Sequence, residues 1–285
     1  MASMRDIKRR KGSIQSTQQI TKAMKLVSTV KLQRAKQRAE QSQSYFTGMY
    51  QTVQKMLAKT GNIDHPYLRS TGSDKKLVIM ITSNRGLAGG YNSNVVKLIT
   101  QGDFEKDKVM VTAIGKKGKD AMVRMRYELA GDYSDMIEEP TYQNAMDIAK
   151  EALDIYARQE VGEIYLAYTH FKNTVVHEPV LMKLLPVEPG IDTGVQEGDN
   201  IPMNFEPREE EALALLIPKY ITSLIYGGMV EAVASENGAR MQAMDSATSN
   251  AEEMISDLTL LYNRARQGSI TQELTEIIAG AQAIS

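Results

Sequence analysis

The sequence predicts a central α/β domain flanked by two long terminal helices that pair as a coiled coil. Three observations point there. All eight prolines lie between Pro66 and Pro218, and a proline inside a helix costs about 3 kcal/mol, so long helices can survive only in the flanks. Both flanks carry apolar or small residues at heptad spacing. Between them the chain switches to short β-branched or apolar runs that alternate with helical stretches, the pattern of a layered α/β domain.

The N-terminal segment, residues 1–60, reads as one helix about 85 Å long at about 1.5 Å per residue. From Ile7, every seventh residue gives Ile7, Ile14, Thr21, Ser28, Ala35, Ser42, Met49 and Met56, none of them charged. The companion row holds Leu32, Ala39, Phe46 and Val53, with Lys11 and Lys25 as exceptions. The segment carries 13 Lys/Arg against Asp6 and Glu40, a net charge of +11, which leaves −12 for the rest of a chain whose net charge is −1. Such asymmetry calls for an anionic partner. The cations occupy most heptad positions instead of one face, which fits a surrounding acidic protein surface better than a phosphate backbone. A nucleic-acid-binding coiled-coil scaffold with an α/β domain is the alternative reading, and it predicts steeply salt-dependent binding.

The central segment, residues 75–190, places strands at KKLVIMIT (75–82), DKVMVTAIG (107–115), EIYLAYTHF (163–171) and TVVHEPVLMKLLP (174–186). Helices are expected near Asn94–Thr100, Lys116–Leu129 and Thr141–Gln159, and residues 187–208 read as a Gly/Pro-rich connection. The C-terminal segment, residues 209–285, is a second long helix with a kink expected at Pro218. Its proposed seam runs Ile221, Gly228, Ser235, Gln242, Ser249, Ser256, Asn263, Ile270 and Ile277. A companion row runs Ile225, Ala232, Ala239, Ser246, Glu253, Leu260, Gln267, Leu274 and Ala281. Polar and small residues at so many seam positions fix register and permit close approach at a cost in stability.

The motifs argue against chemistry in this chain. SNRGLAGGYN (83–92) follows a strand and precedes a helix, where phosphates are often cradled. Its spacing nevertheless matches neither GxGxxG nor GxxxxGK[ST], and a tight turn capped by Asn92 or Ser93 is expected. GKKGKD (115–120) fails the same comparison. His65, His170 and His177 lack ligand-like companions. Glu138–Glu139 and the run 208–211 read as solvated helix starts. The chain has no cysteine, which removes disulfides, thiolate metal sites and thiol nucleophiles. No run of about 18 apolar residues suggests a membrane span. No catalytic residue, cofactor or metal site is expected.

ITQELTEIIAGA (270–281), MRDIKRRKGSIQSTQQITKAMKLVS (4–28) and SNRGLAGGYN (83–92) together resemble the γ subunits of F-type ATP synthases, in the right order along the whole chain. The resemblance implies a Rossmann-like α/β domain flanked by an antiparallel coiled coil of the N- and C-terminal helices. It implies a non-catalytic central-stalk rotor that transmits torque between a membrane c-ring and a hexamer of α and β subunits. By matching motif, Met24, Arg9, Arg10, Arg240, Gln267, Thr271 and Glu273 are expected to contact α and β. Phe205 and Glu206 are expected to face the c-ring and ε. Chloroplast forms carry a thiol-switch insertion, which a chain without cysteine cannot have. With no Arg-rich transit segment, a bacterial enzyme on the cytoplasmic face of the cell membrane is expected, peripheral and not inserted.

Overall fold

The computed structural model describes residues 3–59, 65–187 and 209–282. Of the expected connection over 187–208, residues 188–208, including Phe205 and Glu206, lie outside the described residues. The elements are α1 (Met4–Lys59), β1 (Lys76–Ile81), α2 (Tyr91–Thr100), β2 (Val109–Ile114), α3 (Lys116–Arg124), β3 (Glu128–Asp132), α4 (Tyr142–Ala157), β4 (Glu163–Phe171), β5 (His177–Leu185) and α5 (Glu209–Gln282). Contacts group them into two compact units. One spans Val30–Ala239, and the other joins the residues up to Thr29 with those from Arg240 onward.

In the first unit a five-stranded sheet has the order β3-β2-β1-β4-β5. The first four strands are parallel, and β5 returns antiparallel to β4. β1 is central, so its sequence Lys-Leu-Val-Ile-Met-Ile is apolar on both faces, as a strand covered on both sides must be. Leu77, Ile79 and Ile81 point into one core with Ile148, Ala152 and Tyr156 of α4 and Ile217, Ile221, Ile225 and Met229 of α5. Val53 and Met56 of α1 join that core. Val78 and Met80 point the other way, toward Val95 and Ile99 of α2 and Met122 of α3. Each such fully buried aliphatic side chain contributes about 1.5–3 kcal/mol.

α4 starts at a capping box in which the Thr141 hydroxyl accepts from the Asn144 amide and the Asn144 side chain accepts from the Thr141 amide. The expected strands match β1, β2, β4 and β5. β3 departs from expectation, because the sequence pattern carries helix on to Leu129. Helix α3 instead stops at Arg124, and Arg126 adopts a positive φ of 60°. The chain then enters Glu-Leu-Ala-Gly-Asp, a half-buried edge strand without a β-branched residue to announce it.

α5 runs uninterrupted through Pro218. An 18-residue window of this helix reaches a mean hydropathy of 1.5, the level of a membrane span, yet 56% of the window is buried inside the protein. Its apolarity serves the sheet.

At the edge where β1, β4 and β5 meet, Glu163 accepts hydrogen bonds or ion pairs from Lys76 and Lys183, each at 3.0 Å, and from the Tyr165 hydroxyl at 3.0 Å. Burial pushes this carboxyl up, but the three donors together outweigh burial and hold it at about 2, below the ordinary 4.5. A depressed carboxylate stabilises the fold fully above the ordinary value, and that contribution fades as pH falls toward 2. Glu163→Gln is therefore expected to lower the melting temperature at pH 7, with the gap to wild type closing between pH 4.5 and 2. A gap that stays constant across this window would refute the assignment.

Candidate functional site

The sheet order reverses between β1 and β4, and in open α/β sheets ligands bind outside the carboxyl ends of the strands at such a point. Here the local sequence fills that position from within. Gly115 has φ of 106°, a conformation that favours glycine. It lets α3 start directly beside Thr82. The opening amides of α3 then meet the loop after β1: Lys116 N–H donates to Asn84 Oδ1 at 2.9 Å, Lys117 N–H to the Ser83 carbonyl at 3.0 Å and Gly118 N–H to Thr82 Oγ1 at 2.9 Å. Donors that would otherwise face a phosphate are spent on the chain's own oxygens.

The glycine-rich turn after β1 is pinned in the same way. Asn92 Oδ1 accepts from the Ser83 amide at 2.9 Å, and the Ser83 hydroxyl donates to the Arg85 carbonyl at 2.6 Å. The expected helix cap by Asn92 or Ser93 is corrected: Gly90 occupies the cap position of α2 without a side-chain cap bond, and Asn92 reaches backward to hold the turn. Across the switch point, Tyr91 donates its hydroxyl to the Ala232 carbonyl at 3.2 Å, and Ser235 donates to the Thr169 carbonyl at 3.1 Å. Gly228 lies against Leu166 and Ile81. α5 thus occupies the crevice.

The histidines are separate. His65 accepts from the Tyr67 amide at 3.2 Å, His170 meets Glu231 at 2.7 Å, and His177 packs on Phe171. Among the described residues no three His, Cys, Asp or Glu side chains could share a metal ion. Glu138 lies 3.7 Å from Arg85, an exposed pair.

What remains is the coiled-coil unit. α1 and α5 run antiparallel, with Gln18 on Glu252 at 3.0 Å, Thr21 on Thr248 at 2.8 Å and Lys25 on Asp245 at 2.6 Å. On α1 the expected rows hold: Ile7, Thr21 and Ser28 are buried, and Lys11, Ile14 and Lys25 are half-buried. On α5 beyond Ala239 the expected seam is wrong. Gln242, Ser246, Ser249, Glu253, Ser256, Leu260, Asn263, Gln267, Ile270, Leu274, Ile277 and Ala281 are exposed, and the seam is Met244, Thr248, Ala251, Ile255, Leu258, Tyr262, Ala265 and Ser269. The true seam keeps a seven-residue repeat in another frame: Ile221 and Ile225 belong to the core that packs on the sheet, so a count started there marks a different face of the helix.

The correction uncovers the surface that matters. Ile20, Leu26 and Val27 on α1, and Leu260, Leu261, Ile270, Leu274, Ile277 and Ile278 on α5, are each at least half exposed or close to it, from 49% to 68%. From Thr271 to Gln282 every described residue of α5 is exposed. Ile270, Leu274, Ile277 and Ile278 fall at i, i+4, i+7 and i+8 on one face of α5, and an exposed apolar stripe of this kind marks a protein-contact face. Sequence periodicity missed it because Leu260, Ile270, Leu274 and Ile277 look like seam residues.

Of the expected contact residues, Arg9 is exposed and paired with Asp6 at 3.2 Å, and Arg10 is exposed. Both line an open groove of about 1190 Å³ with Ile7, Leu258, Arg264 and Gln272. Gln267, Thr271 and Glu273 lie exposed on α5, where the Thr271 hydroxyl donates to the Gln267 carbonyl at 2.9 Å. Met24 is half-buried. Arg240 is only 8% exposed, so little of it is left to meet another chain.

The buried Thr21–Thr248 contact invites a test. Replacing both hydroxyls by groups of the same shape removes a bond without stranding a donor, whereas replacing one costs about 1 kcal/mol. Thr21→Val is expected to lower stability in urea by about that amount, and Thr21→Val with Thr248→Val by less than the sum of the two single changes. Strict additivity in the cycle would mean that the hydroxyls do not interact.

Residues 3–284 match the protein family described as ATP synthase. The ATP synthase gamma chain of Lachnoclostridium phytofermentans is 64% identical over 293 residues, with 100% of both chains covered. The chain belongs to the ATP synthase gamma chain family. Another gamma chain, from Alkaliphilus metalliredigens, is 45% identical over 99% of this chain and 98% of its own. A gamma chain from Acetobacterium woodii, described as sodium ion specific, is 38% identical over 99% of both. Among solved structures, a chain of the Euglena gracilis mitochondrial ATP synthase in an OSCP/F1/c-ring structure superposes with a TM-score of 0.69 at 20% identity, covering 99% of this chain and 94% of that one. A chain from the rotor of the same enzyme gives 0.68 at 18% identity, covering 94% and 98%. These two likenesses concern the fold alone.

Proposed function

We propose that this chain is the central-stalk rotor of a bacterial F-type ATP synthase, carrying torque between a c-ring and a hexamer of α and β subunits without performing chemistry itself. The observation that carries this reading is the coiled-coil unit of a gamma-family chain: a seam that mixes small and polar residues with Met244, Ile255, Leu258 and Tyr262 inside, and an apolar row outside, with the last turns of α5 exposed on all sides. Such a surface calls for a sleeve. Cations distributed around α1 suit acidic loops of that sleeve, and shallow contacts let a shaft pass from one angle to the next. To drive each catalytic site in turn, the shaft must bind its successive states differently, since equal affinity shifts nothing.

In this reading residues 1–60 and 209–285 form the shaft and residues 75–190 form the domain that meets ε and the c-ring. Arg9, Arg10, Met24, Gln267, Thr271 and Glu273 face α and β, with Arg240 setting the helix that carries them. Phe205 and Glu206 face the c-ring. The complex sits on the cytoplasmic face of the cell membrane, and the coupling ion is a proton or sodium.

The test is reconstitution with α and β, the β subunits fixed to a surface and a bead attached at Val175→Cys. Val175 is 66% exposed, and the chain has no other cysteine. ATP-driven rotation in one direction is the expected result. A stable complex that hydrolyses ATP while the bead stays still would overturn the rotor reading.

A further inference from the structure

Among the described residues, the buried side-chain polar atoms without a hydrogen-bond partner are Thr169 Oγ1, Asn237 Oδ1 and both ring nitrogens of His177. These three residues lie on β4, α5 and β5 where the hairpin meets the end of the α5 stretch that packs on the sheet unit. Ser235 bonds the Thr169 carbonyl there. Phe171 pairs with His177 in the strand register, with ring centroids 5.9 Å apart. The contact with α5 is close. A Cβ on Gly238 would stand 2.7 Å from His177 Cε1 and 3.2 Å from Nε2, so the imidazole lies flush against the helix backbone.

Buried polar groups are normally satisfied, and an exception asks for a reason. Imidazole is the side chain whose charge ordinarily changes between pH 5 and 8. The charged groups around it are engaged elsewhere. On the hairpin, Lys172 and Glu178 pair with each other at 3.0 Å. On α5, Glu231 bonds His170 at 2.7 Å, and Glu236 and Arg240 each have partners of their own. On α1, Lys36 stands 6.0 Å from the centre of the Phe171 ring. None of these carboxylates forms an ion pair with the His177 ring.

We propose that His177 is an acid-sensitive latch between the β4–β5 hairpin and α5: neutral, it closes on Gly238, and protonated, it must reach water, so the hairpin and the helix part. Burial holds the imidazole below its ordinary 6.5; the Thr174 backbone lies near enough to oppose this in part, without making a hydrogen bond to the ring. A histidine kept neutral by burial takes up its proton more readily once the contact opens. The closed contact is therefore fully stable above the ordinary value and weakens as pH falls below it.

The test uses the full chain. Its three histidines make imidazole ¹H–¹⁵N spectra assignable with His65→Gln and His170→Gln, and the cysteine-free background accepts spin labels at Val175→Cys and Lys219→Cys. From pH 8 to pH 5, His177 is expected to titrate below its value in the urea-unfolded chain, with the label distance lengthening as it protonates. In His177→Leu the distance should stay constant, and the loss of melting temperature between pH 7.5 and pH 5 should be smaller than in wild type. Protonation without a change in distance would overturn the proposal. So would equal loss of melting temperature in the two proteins. Should His177→Leu not fold, the titration of the labelled wild-type background decides alone.

Discussion

Gly115→Ala is expected to cost the sheet unit a large share of its stability. The added Cβ would stand 2.1 Å from the Thr82 carbonyl oxygen and 2.8 Å from its hydroxyl. Neither atom can withdraw cheaply. Thr82 donates its amide to the Ile114 carbonyl at 2.7 Å, and its hydroxyl accepts the opening amide bond of α3. The backbone adds a second penalty, because φ of 106° is a region that L side chains rarely adopt. Relief would require β1, β2 and the start of α3 to move together. A loss of roughly 4–5 kcal/mol is expected, which few mechanisms in a single substitution reach and which rivals the whole stability of an ordinary domain, about 5–15 kcal/mol. Urea denaturation followed by circular dichroism measures it. Gly12→Ala supplies the contrast, since an added Cβ there meets nothing within 4 Å, and Ala for Gly inside an exposed helix stabilises by about 0.5–1 kcal/mol. If Gly115→Ala melted like wild type, the close approach of α3 to Thr82 would be wrong.

A second substitution should leave the free chain intact and damage its assembly. Leu274 and Ile278 are 55% and 57% exposed, one turn apart on the last stretch of α5. Charging them in Leu274→Asp with Ile278→Asp removes almost no internal packing, and surface changes of this kind usually stay within about 0.5 kcal/mol. Inside a sleeve the same carboxylates would lose water without gaining partners. Central interface side chains can cost about 2 kcal/mol or more on truncation, so assembly with α and β should weaken by about 30-fold or more. The free chain's melting curve and the dissociation constant of the complex are the two readouts. An unchanged dissociation constant would place the sleeve elsewhere along the coil.

The sheet was readable where physics leaves a one-dimensional trace. β1, buried on both faces, is a continuous apolar run, and β4 spans the expected residues 163–171. β3 left none, since an edge strand paired along one side only can be built from Glu, Leu, Ala, Gly and Asp. The two terminal helices differ in the same sense. The seam of α1 was legible because its outward positions are mostly charged or polar. α5 misled because Leu260, Ile270, Leu274 and Ile277 look outward while Ala251, Ala265 and Ser269 look in. A hydrophobic pattern reports which positions avoid water. It does not report whether the covering surface belongs to the same chain or to another. The latch residue was beyond reach for a different reason: nothing in the spacing of His177 and Gly238 announces that they touch.

The amides at the start of α3 have one further consequence. An open phosphate cradle at this place in the sheet would fill and empty as the nucleotide concentration around it changed. Thr82, Ser83 and Asn84 close that cradle from within. A mechanical part whose shape does not answer to the fuel level can report only the angle at which it is turned.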